Sequence, residues 1–154
     1  DGMAGFASPT RGVVAGGEGP SPYPGIDTIE FVTIASTGNM VDFGNLSQGH
    51  WAISGCSSPT RGIINGSFTS GGTIQFITIA STGNSEEFGD WTTDSDSGAS
   101  FSSSTRGLWA HGADASTSTV QFVEFATRGN GTDFGNSRTE VYRSAGCSNG
   151  HGGL

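Results

Sequence analysis

Apolar residues along this chain come in short runs that are separated by turn-forming residues. Four such runs occur in the middle of the chain, at 50–56 (HWAISGC), 62–66 (GIING), 73–80 (TIQFITIA) and 85–89 (SEEFG). Gly, Ser, Thr, Asn or Pro bounds each run, and these residues favour turns. No amphipathic helical stretch is evident. The pattern therefore predicts an all-β chain of many short strands.

The third of these runs is apolar on both faces. Ile74, Phe76, Ile77 and Ile79 break the alternation that is expected of a strand with one face in water. The same break occurs earlier in the chain, at Ile29, Phe31, Val32 and Ile34. A strand of this kind either lies in a sheet that is covered on both faces or carries a bulge.

Three landmarks recur along the chain and define an internal repeat. TIEFVTIASTGN at 28–39 and TIQFITIASTGN at 73–84 are identical at ten of twelve positions, and TVQFVEFATRGN follows at 119–130. A turn with Arg-Gly recurs as SPTRG at 8–12 and 58–62 and as SSTRG at 103–107. A short acidic element recurs as DFGN at 42–45, EFGD at 87–90 and DFGN at 133–136. A period of 45 to 50 residues is typical of stacked units.

These landmarks divide the chain into similar units within one β-repeat domain, 1–154. The repeats span about 1–48, 49–96 and 97–140, and a partial fourth copy spans 141–154. Four antiparallel strands in such a unit are typical of a β-propeller blade. We therefore predict a β-propeller-like array of tandem four-stranded blades, about three repeats plus one strand.

The number of repeats leaves an alternative fold open. Closed propellers have about four to eight blades, so three repeats require either a longer parent chain, of which this is a fragment, or several chains. A β-trefoil or β-prism with three repeats is the alternative that closes alone.

The two cysteines occupy a position that other repeats fill with Phe. The alignment makes Phe6, Cys56, Phe101 and Cys147 equivalent. Free cysteine is commonly buried as a small apolar residue, which is how we interpret both. A Cys56–Cys147 disulfide is disfavoured because the two residues lie two repeats apart.

Composition and charge exclude several classes of partner. Only 32% of the 154 residues are hydrophobic, against about 45–50% in a typical domain, so a single large core is not expected. The formal net charge is -8, and the six basic residues are all Arg. This balance argues against nucleic-acid binding, which needs a basic face. No run approaches the roughly 20 apolar residues of a membrane-spanning helix, and we expect no membrane insertion.

One arginine and one acid recur in every repeat. The arginines are Arg11, Arg61 and Arg106, and the acids are Asp42, Glu87 and Asp133. We favour a structural role, either one ion pair or one turn-to-backbone hydrogen bond per repeat, for which the forked guanidinium is suited. The alternative is a ring of charges around a channel.

Candidates for metal binding and catalysis are few. Asp94 and Asp96 in TDSDSGAS could contribute to a Ca²⁺ site, but the later ligands of a full loop are missing, so an exposed acidic turn is favoured. His50, His111 and His151 lack metal-ligand spacing. The sequence contains no phosphate-binding loop, because its Gly clusters are not followed by Lys or by a helix. We therefore expect no cofactor and no enzymatic activity.

Aromatic residues near strand ends are candidates for ligand contact. Trp51, Trp91 and Trp109 lie near predicted strand ends, and Tyr23 lies in the loop GEGPSPYPGID. Aromatic and polar loop residues on one rim could stack on sugars, and loops carry binding in such scaffolds. The alternative for each Trp is packing between blades.

The repeat resembles two kinds of known protein. The stretch AISGCSSPTRGIINGSFTSGGTIQFITIASTGNSEEFGDW resembles a kelch-type propeller blade, with glycines after the second strand at Gly16-Gly17, Gly66-Ser67 and Gly112-Ala113. SPTRG with FVTIASTGN and DFGN also resembles repeats in virion and tail-associated proteins of marine bacteriophages.

The second resemblance implies a role on a virus particle. It predicts a non-enzymatic structural or host-recognition module of a phage virion, tail-associated, whose partners are other virion proteins or a host-surface glycan or protein. It also fits a homo-oligomer or a part of a larger assembly. Two alternatives remain open: a secreted propeller enzyme that acts on glycans, and a kelch-type protein-binding scaffold.

Overall fold

The protein is built of short strands. The computed structural model describes residues 2–22, 24–65, 72–93, 97–110, 118–139 and 144–148. The strands are β1 (Ala4–Ala7), β2 (Arg11–Ala15), β3 (Ile26–Thr33), β4 (Val41–His50), β5 (Gly55–Ser57), β6 (Arg61–Asn65), β7 (Thr73–Thr78), β8 (Glu86–Asp90), β9 (Ala99–Ser102), β10 (Arg106–Ala110), β11 (Thr119–Glu124) and β12 (Thr132–Asn136). The described residues form no helix, and none could therefore cross a membrane as a helix.

The strands form three four-stranded antiparallel sheets, one in each repeat. Sheet 1 contains β1–β4, sheet 2 contains β5–β8 and sheet 3 contains β9–β12, and each strand pairs with the next one in the chain. The prediction of an all-β, blade-like fold is confirmed at this level. The sheets do not close on themselves, which does not fit the trefoil alternative, since that fold closes with three repeats.

The SPTRG landmark is the turn that joins the first two strands of each sheet. Its serine hydroxyl accepts a hydrogen bond from the arginine backbone N–H, at 3.1 Å for Ser8 and 3.0 Å for Ser58. Ser103 does the same in sheet 3, at 3.1 Å. Serine favours this kind of local turn because its hydroxyl can satisfy a nearby backbone donor.

A bulge recurs in the fourth strand of each sheet. In sheet 2, Ile74 pairs with Gly89 and Gln75 pairs with Glu87, so Phe88 between them has no partner in the register. The same shift in register leaves Phe43 in sheet 1 and Phe134 in sheet 3 without a pairing partner. A bulge re-aims the side chain of the extra residue, and here it turns Phe43 and Phe88 into the core.

The core lies between the sheets. One apolar cluster joins sheet 1 to sheet 2, with Ile77 and Ile79 of sheet 2 packed against Ile29 and Phe43 of sheet 1. A second cluster joins sheet 2 to sheet 3 and contains Ile74 and Phe76 from the opposite face of β7. The middle sheet is therefore covered on both faces, which confirms the interpretation of the TIQFITIA run.

The repeated arginines join neighbouring sheets. Arg11 Nη1 donates to the carbonyl oxygen of Ile79 at 2.7 Å, and its guanidinium stacks 4.5 Å from the centroid of Phe31 in its own sheet. Arg61 Nη1 donates to the carbonyl of Phe125 at 2.5 Å and stacks on Phe76. A carbonyl at the end of the next sheet's third strand is thus the acceptor in both junctions.

Of the two predicted structural roles, the backbone hydrogen bond is the one that Arg11 and Arg61 form, and in the described part of the chain the repeated acids form no ion pair with the repeated arginines. Asp42, Glu87 and Asp133 are exposed on the fourth, edge strands of their sheets, away from β1, β5 and β9, which lie side by side at the inner edges. A ring of charges around a channel therefore does not fit this placement. Arg106, the third repeated arginine, pairs with Glu124 at 2.6 Å instead.

The STGN turn is a second repeated connection between sheets. Gly83 N–H donates to the carbonyl of Phe43 at 2.7 Å, and Asn84 Oδ1 accepts from the N–H of Asn45 at 3.0 Å. In the next junction, Gly129 N–H donates to Phe88 at 3.0 Å and Asn130 Oδ1 accepts from Asp90 at 3.1 Å. These contacts explain why the turn is copied so faithfully.

The prediction that both cysteines are buried is confirmed for Cys56 and wrong for Cys147. Cys56 is buried in the second cluster, and burial raises the pKa of its thiol. Cys147 is exposed, and neither cysteine forms a disulfide. Residues 144–148 lie beside β9, since Ser148 Oγ is 2.9 Å from Ser102 Oγ. Ser102 Oγ in turn donates to the Ser57 carbonyl at 2.9 Å.

We predict that Gly89→Ala destabilises the protein while Gly129→Ala does not. A Cβ on Gly89 would overlap the carbonyl oxygen of Gly129 in the next sheet, whereas a Cβ on Gly129 would enter open space. Overpacking of this kind costs about 1–3 kcal/mol. Urea unfolding of the two variants measures the difference, and equal free energies of unfolding would contradict the close junction.

Candidate functional site

The two ends of the sheets carry loops of different character. In an antiparallel meander, the turns after the first and third strands of a sheet lie at one end, and the loops after the second and fourth strands lie at the other. The first end, which we call the repeated rim, carries the SPTRG and STGN turns. The second end, which we call the variable rim, carries residues 16–25 and the connection 51–54. Residues on this rim differ between copies.

The repeated rim is engaged in holding the sheets together. The third copy of the turn, ATRGN, differs in sequence from the other two but also contacts the preceding sheet. Arg128 forms an ion pair with Glu86 of sheet 2, and its guanidinium stacks 4.6 Å from the centroid of Phe76. The change in sequence at this position therefore strengthens a junction.

A cavity opens at the variable rim. Its volume is about 550 Å³, and its lining includes Glu18, Trp51, Ser54, Ser97, Ser100 and Ser144. These residues come from the loop after β2, the connection between sheets 1 and 2, the approach to β9, and the tail. Segments far apart in the chain therefore meet at one place, where each repeat contributes the residues at the start of its first strand.

The backbone at the cavity is held in an unusual conformation. Ala52 and Ser97 have positive φ values of 57° and 54°, in the left-handed region that non-glycine residues seldom occupy. Ser97 N–H donates to the Ala52 carbonyl at 3.0 Å, and Ile53 N–H donates to the Gly2 carbonyl at 3.0 Å. These bonds fix the connection between the sheets. Such conformations cluster at binding sites, where the surrounding structure maintains them.

The lining of the cavity contains hydroxyl and carboxylate groups. The hydroxyls of Ser54 and Ser144 are buried and have no hydrogen-bond partner within the described part of the chain. Buried polar groups are normally paired, so a bound water or ligand would satisfy them. Glu18 contributes the carboxylate of the described lining.

The predicted aromatic contacts divide into two groups. Trp51 is 39% exposed and lines the cavity. Trp91 and Trp109 are buried between sheets 2 and 3, with ring centroids 4.8 Å apart, and Trp91 Nε1 donates to Asn65 Oδ1. Their burial corrects the contact prediction for these two residues, because a ligand cannot reach them. Tyr23 lies outside the described residues.

Metal ligation has little support in the described chain. No group of three His, Cys, Asp or Glu residues converges among these residues. Asp94 and Asp96, the candidates for Ca²⁺, lie outside the described residues, as do His111 and His151.

His50 is a buried residue whose backbone anchors a loop of the variable rim. The sequence predicted that it opens a first strand, but it closes β4, because Ile26 pairs with it across the sheet. Its carbonyl accepts from Gly17 N–H at 2.8 Å and so anchors the loop at 16–25. The imidazole is fully buried, and neither ring nitrogen has a partner among the described residues. This burial lowers the pKa of His50.

Comparisons with known proteins bear on the fold alone. No protein-family model and no curated protein matches the chain. A solved structure of YjhT superposes on it with a TM-score of 0.70 at 9% sequence identity. The match covers 92% of this chain and 53% of that one, so the chain spans about half the length of the structure it resembles.

We predict that His50 makes the stability of the protein depend on pH. Because its pKa is lowered in the folded state, the unfolded chain takes up the proton first as pH falls below about 6.5, which favours unfolding. The urea midpoint should therefore fall between pH 7.5 and pH 5. In the control variant His50→Leu, which has no proton to bind, this fall should be smaller. The same fall in both proteins would contradict the role of His50.

Proposed function

We propose that this chain is a non-enzymatic recognition module that binds a saccharide at the variable rim. The observation that carries this proposal is that the two rims differ in what their residues contact. Residues that recur in every copy join one sheet to the next, whereas the cavity is lined by equivalent segments whose residue types differ between copies, apart from Gly5, Gly55 and Gly146. Loops on a rigid scaffold are where binding residues concentrate.

The chemistry of the cavity suits a sugar. Its volume of about 550 Å³ is within the range of roughly 300–1,000 Å³ for small-molecule sites. Trp51 presents an amphipathic ring on which the apolar face of a sugar ring can stack. The hydroxyls of Ser54 and Ser144 and the carboxylate of Glu18 provide hydrogen-bonding groups for sugar hydroxyls.

The setting we propose for this module is a phage virion, in a tail-associated position. Support comes from the resemblance of the SPTRG, FVTIASTGN and DFGN phrases to repeats of marine bacteriophage virion proteins. A glycan on the host surface would then be the ligand. In this setting the repeated rim and the junctions between sheets hold the sheets together, and the variable rim binds the ligand.

A glycan-acting enzyme is the alternative that shares this site. Glycoside hydrolysis ordinarily uses two carboxyl groups, about 5–9.5 Å apart, on either side of the bond that breaks. Glu18 is the carboxylate in the described lining. A partner carboxylate would have to come from residues such as Asp94 and Asp96, outside the described part. Binding without cleavage therefore accounts for the described residues with fewer assumptions.

We predict that Trp51→Ala weakens saccharide binding at least about tenfold, because truncating an aromatic side chain that the bound ligand covers can cost more than about 1.4 kcal/mol. Purified chain would be applied to a panel of immobilised bacterial polysaccharides, and the affinity for any bound glycan would then be measured by calorimetry. Met40→Ala is the matched control, since Met40 is 37% exposed but lies on the opposite rim.

Three outcomes would contradict the proposal. Binding to no polysaccharide in the panel would remove the ligand class. Equal losses of affinity in Trp51→Ala and Met40→Ala would remove the site. Release of shortened sugars during incubation would favour the enzymatic alternative over simple recognition.

A further inference from the structure

The two end faces of the array expose apolar residues that the inner junctions bury. Phe134 of sheet 3 is 56% exposed, whereas its equivalents Phe43 and Phe88 are 2% and 3% exposed. Ile34 of sheet 1 is 55% exposed, whereas its equivalent Ile79 is 1% exposed. Exposed apolar surface on otherwise polar proteins marks interaction sites.

The outer face of sheet 3, which we call the rear face, repeats one half of an inner junction. Arg106 stacks 4.8 Å from the centroid of Phe122, as Arg61 stacks on Phe76. A Cβ on Gly135 would meet nothing, whereas a Cβ on Gly44 or Gly89 would overlap the carbonyl of the next STGN turn. The rear face therefore has the arginine, the bulged Phe and the glycine that receive a following sheet.

The outer face of sheet 1, which we call the front face, repeats the other half. It carries the turn at 36–39, whose equivalents in sheets 2 and 3 bond to the preceding sheet. Glu30 stands where Gln75 Oε1 accepts from the backbone N–H of Ser47 at 2.9 Å. Gln121 Oε1 accepts likewise from Thr92 at 3.0 Å. A carboxylate oxygen can accept the same bond, at a higher desolvation cost than the buried amides of Gln75 and Gln121.

We propose that the rear face of one copy docks on the front face of a second copy, in the geometry of the inner junctions. Two copies can satisfy both faces at once and bring six sheets together, which is within the roughly four to eight blades of closed propellers. The length of the similar YjhT structure is consistent with this count, since three sheets here cover 53% of that chain. The contact uses the sheet faces and needs no saccharide, but it displaces residues 144–148 and so removes Ser144 from the wall of the cavity.

The tail must leave its place for this contact to form. Residues 144–148 lie beside β9 as β5 lies beside β1, where Ser57 Oγ donates to the Ala7 carbonyl at 2.6 Å. The β1 strand of an incoming copy would occupy that position. The Ser148 contact is exposed and involves two neutral hydroxyls, so its loss costs little compared with burying Phe134 and Ile34.

The test measures the mass of the full chain in solution by light scattering and analytical ultracentrifugation. We expect twice the 15.6 kDa of one chain, in a concentration-dependent equilibrium. Phe134→Asp and Ile34→Asp should each weaken dimerisation at least about tenfold. Both side chains are already exposed in one copy, so folding should be retained, as circular dichroism would show. Trp51→Asp, also at an exposed apolar residue, is the control and should dimerise normally.

Mixing the two variants tests the head-to-tail geometry. In a dimer of either variant with itself, each of the two junctions contains one altered face. In a mixed dimer, one junction joins an unaltered rear face to an unaltered front face. We therefore expect the mixture to regain dimer that neither variant forms alone. Deleting 144–154 should increase the dimer fraction, because it removes the competing segment.

Four results would overturn the proposal. The wild-type chain could remain monomeric at every concentration, as it would if only further repeats of a longer chain cover these faces. Long open polymers would refute closure by two copies. Failure of the mixture to regain dimer would refute the head-to-tail contact. Loss of dimer on deleting 144–154 would show that the tail belongs to the contact.

Discussion

Burial of the bulged Phe under the next sheet is the interaction on which this architecture depends. Each four-stranded sheet is apolar on both faces, so no sheet can bury its surface alone. Phe43 and Phe88 lie at the centre of the two junctions. Each packs edge-on against a ring of its own third strand, with centroids 5.9 Å apart. Stacking sheets is the solution, because every sheet added covers one apolar face and presents another.

The polar contacts between sheets follow from the same constraint. Bringing sheets together buries the ends of strands and the backbone groups of turns, and those groups must be paired. Arg11 and Arg61 satisfy strand-end carbonyls, and the Asn side chains of the STGN turns satisfy the bulged strands. Arginine suits this position because its flat, weakly hydrated head can stack on Phe while it donates hydrogen bonds.

These contacts lie on the sheet faces and at the repeated rim. The residues of the variable rim can therefore differ from one copy of the repeat to the next. Residues 16–25 and 51–54 carry neither the arginines nor the STGN turns of the junctions, although Ile53 packs in the core between sheets 1 and 2. Substitutions at exposed positions such as Trp51 can change the shape and chemistry of the cavity without disturbing the stacking. A scaffold of this design can acquire a binding specificity in one copy while its neighbours remain structural.

The local pattern of the sequence determined the strands, the turns and the repeat, because each depends on neighbours within a few residues. It also predicted that the third strand is either covered on both faces or bulged, of which the first is confirmed for β7 of sheet 2, and that Cys56 is buried. Only the tertiary structure decided that Arg11 and Arg61 bond to backbone carbonyls, that Trp91 and Trp109 lie in the core while Trp51 lines a cavity, and that His50 ends a strand. These outcomes depend on which segments meet after the sheets stack. Those segments are often more than 40 residues apart in sequence, and a local sequence pattern does not show which of them come into contact.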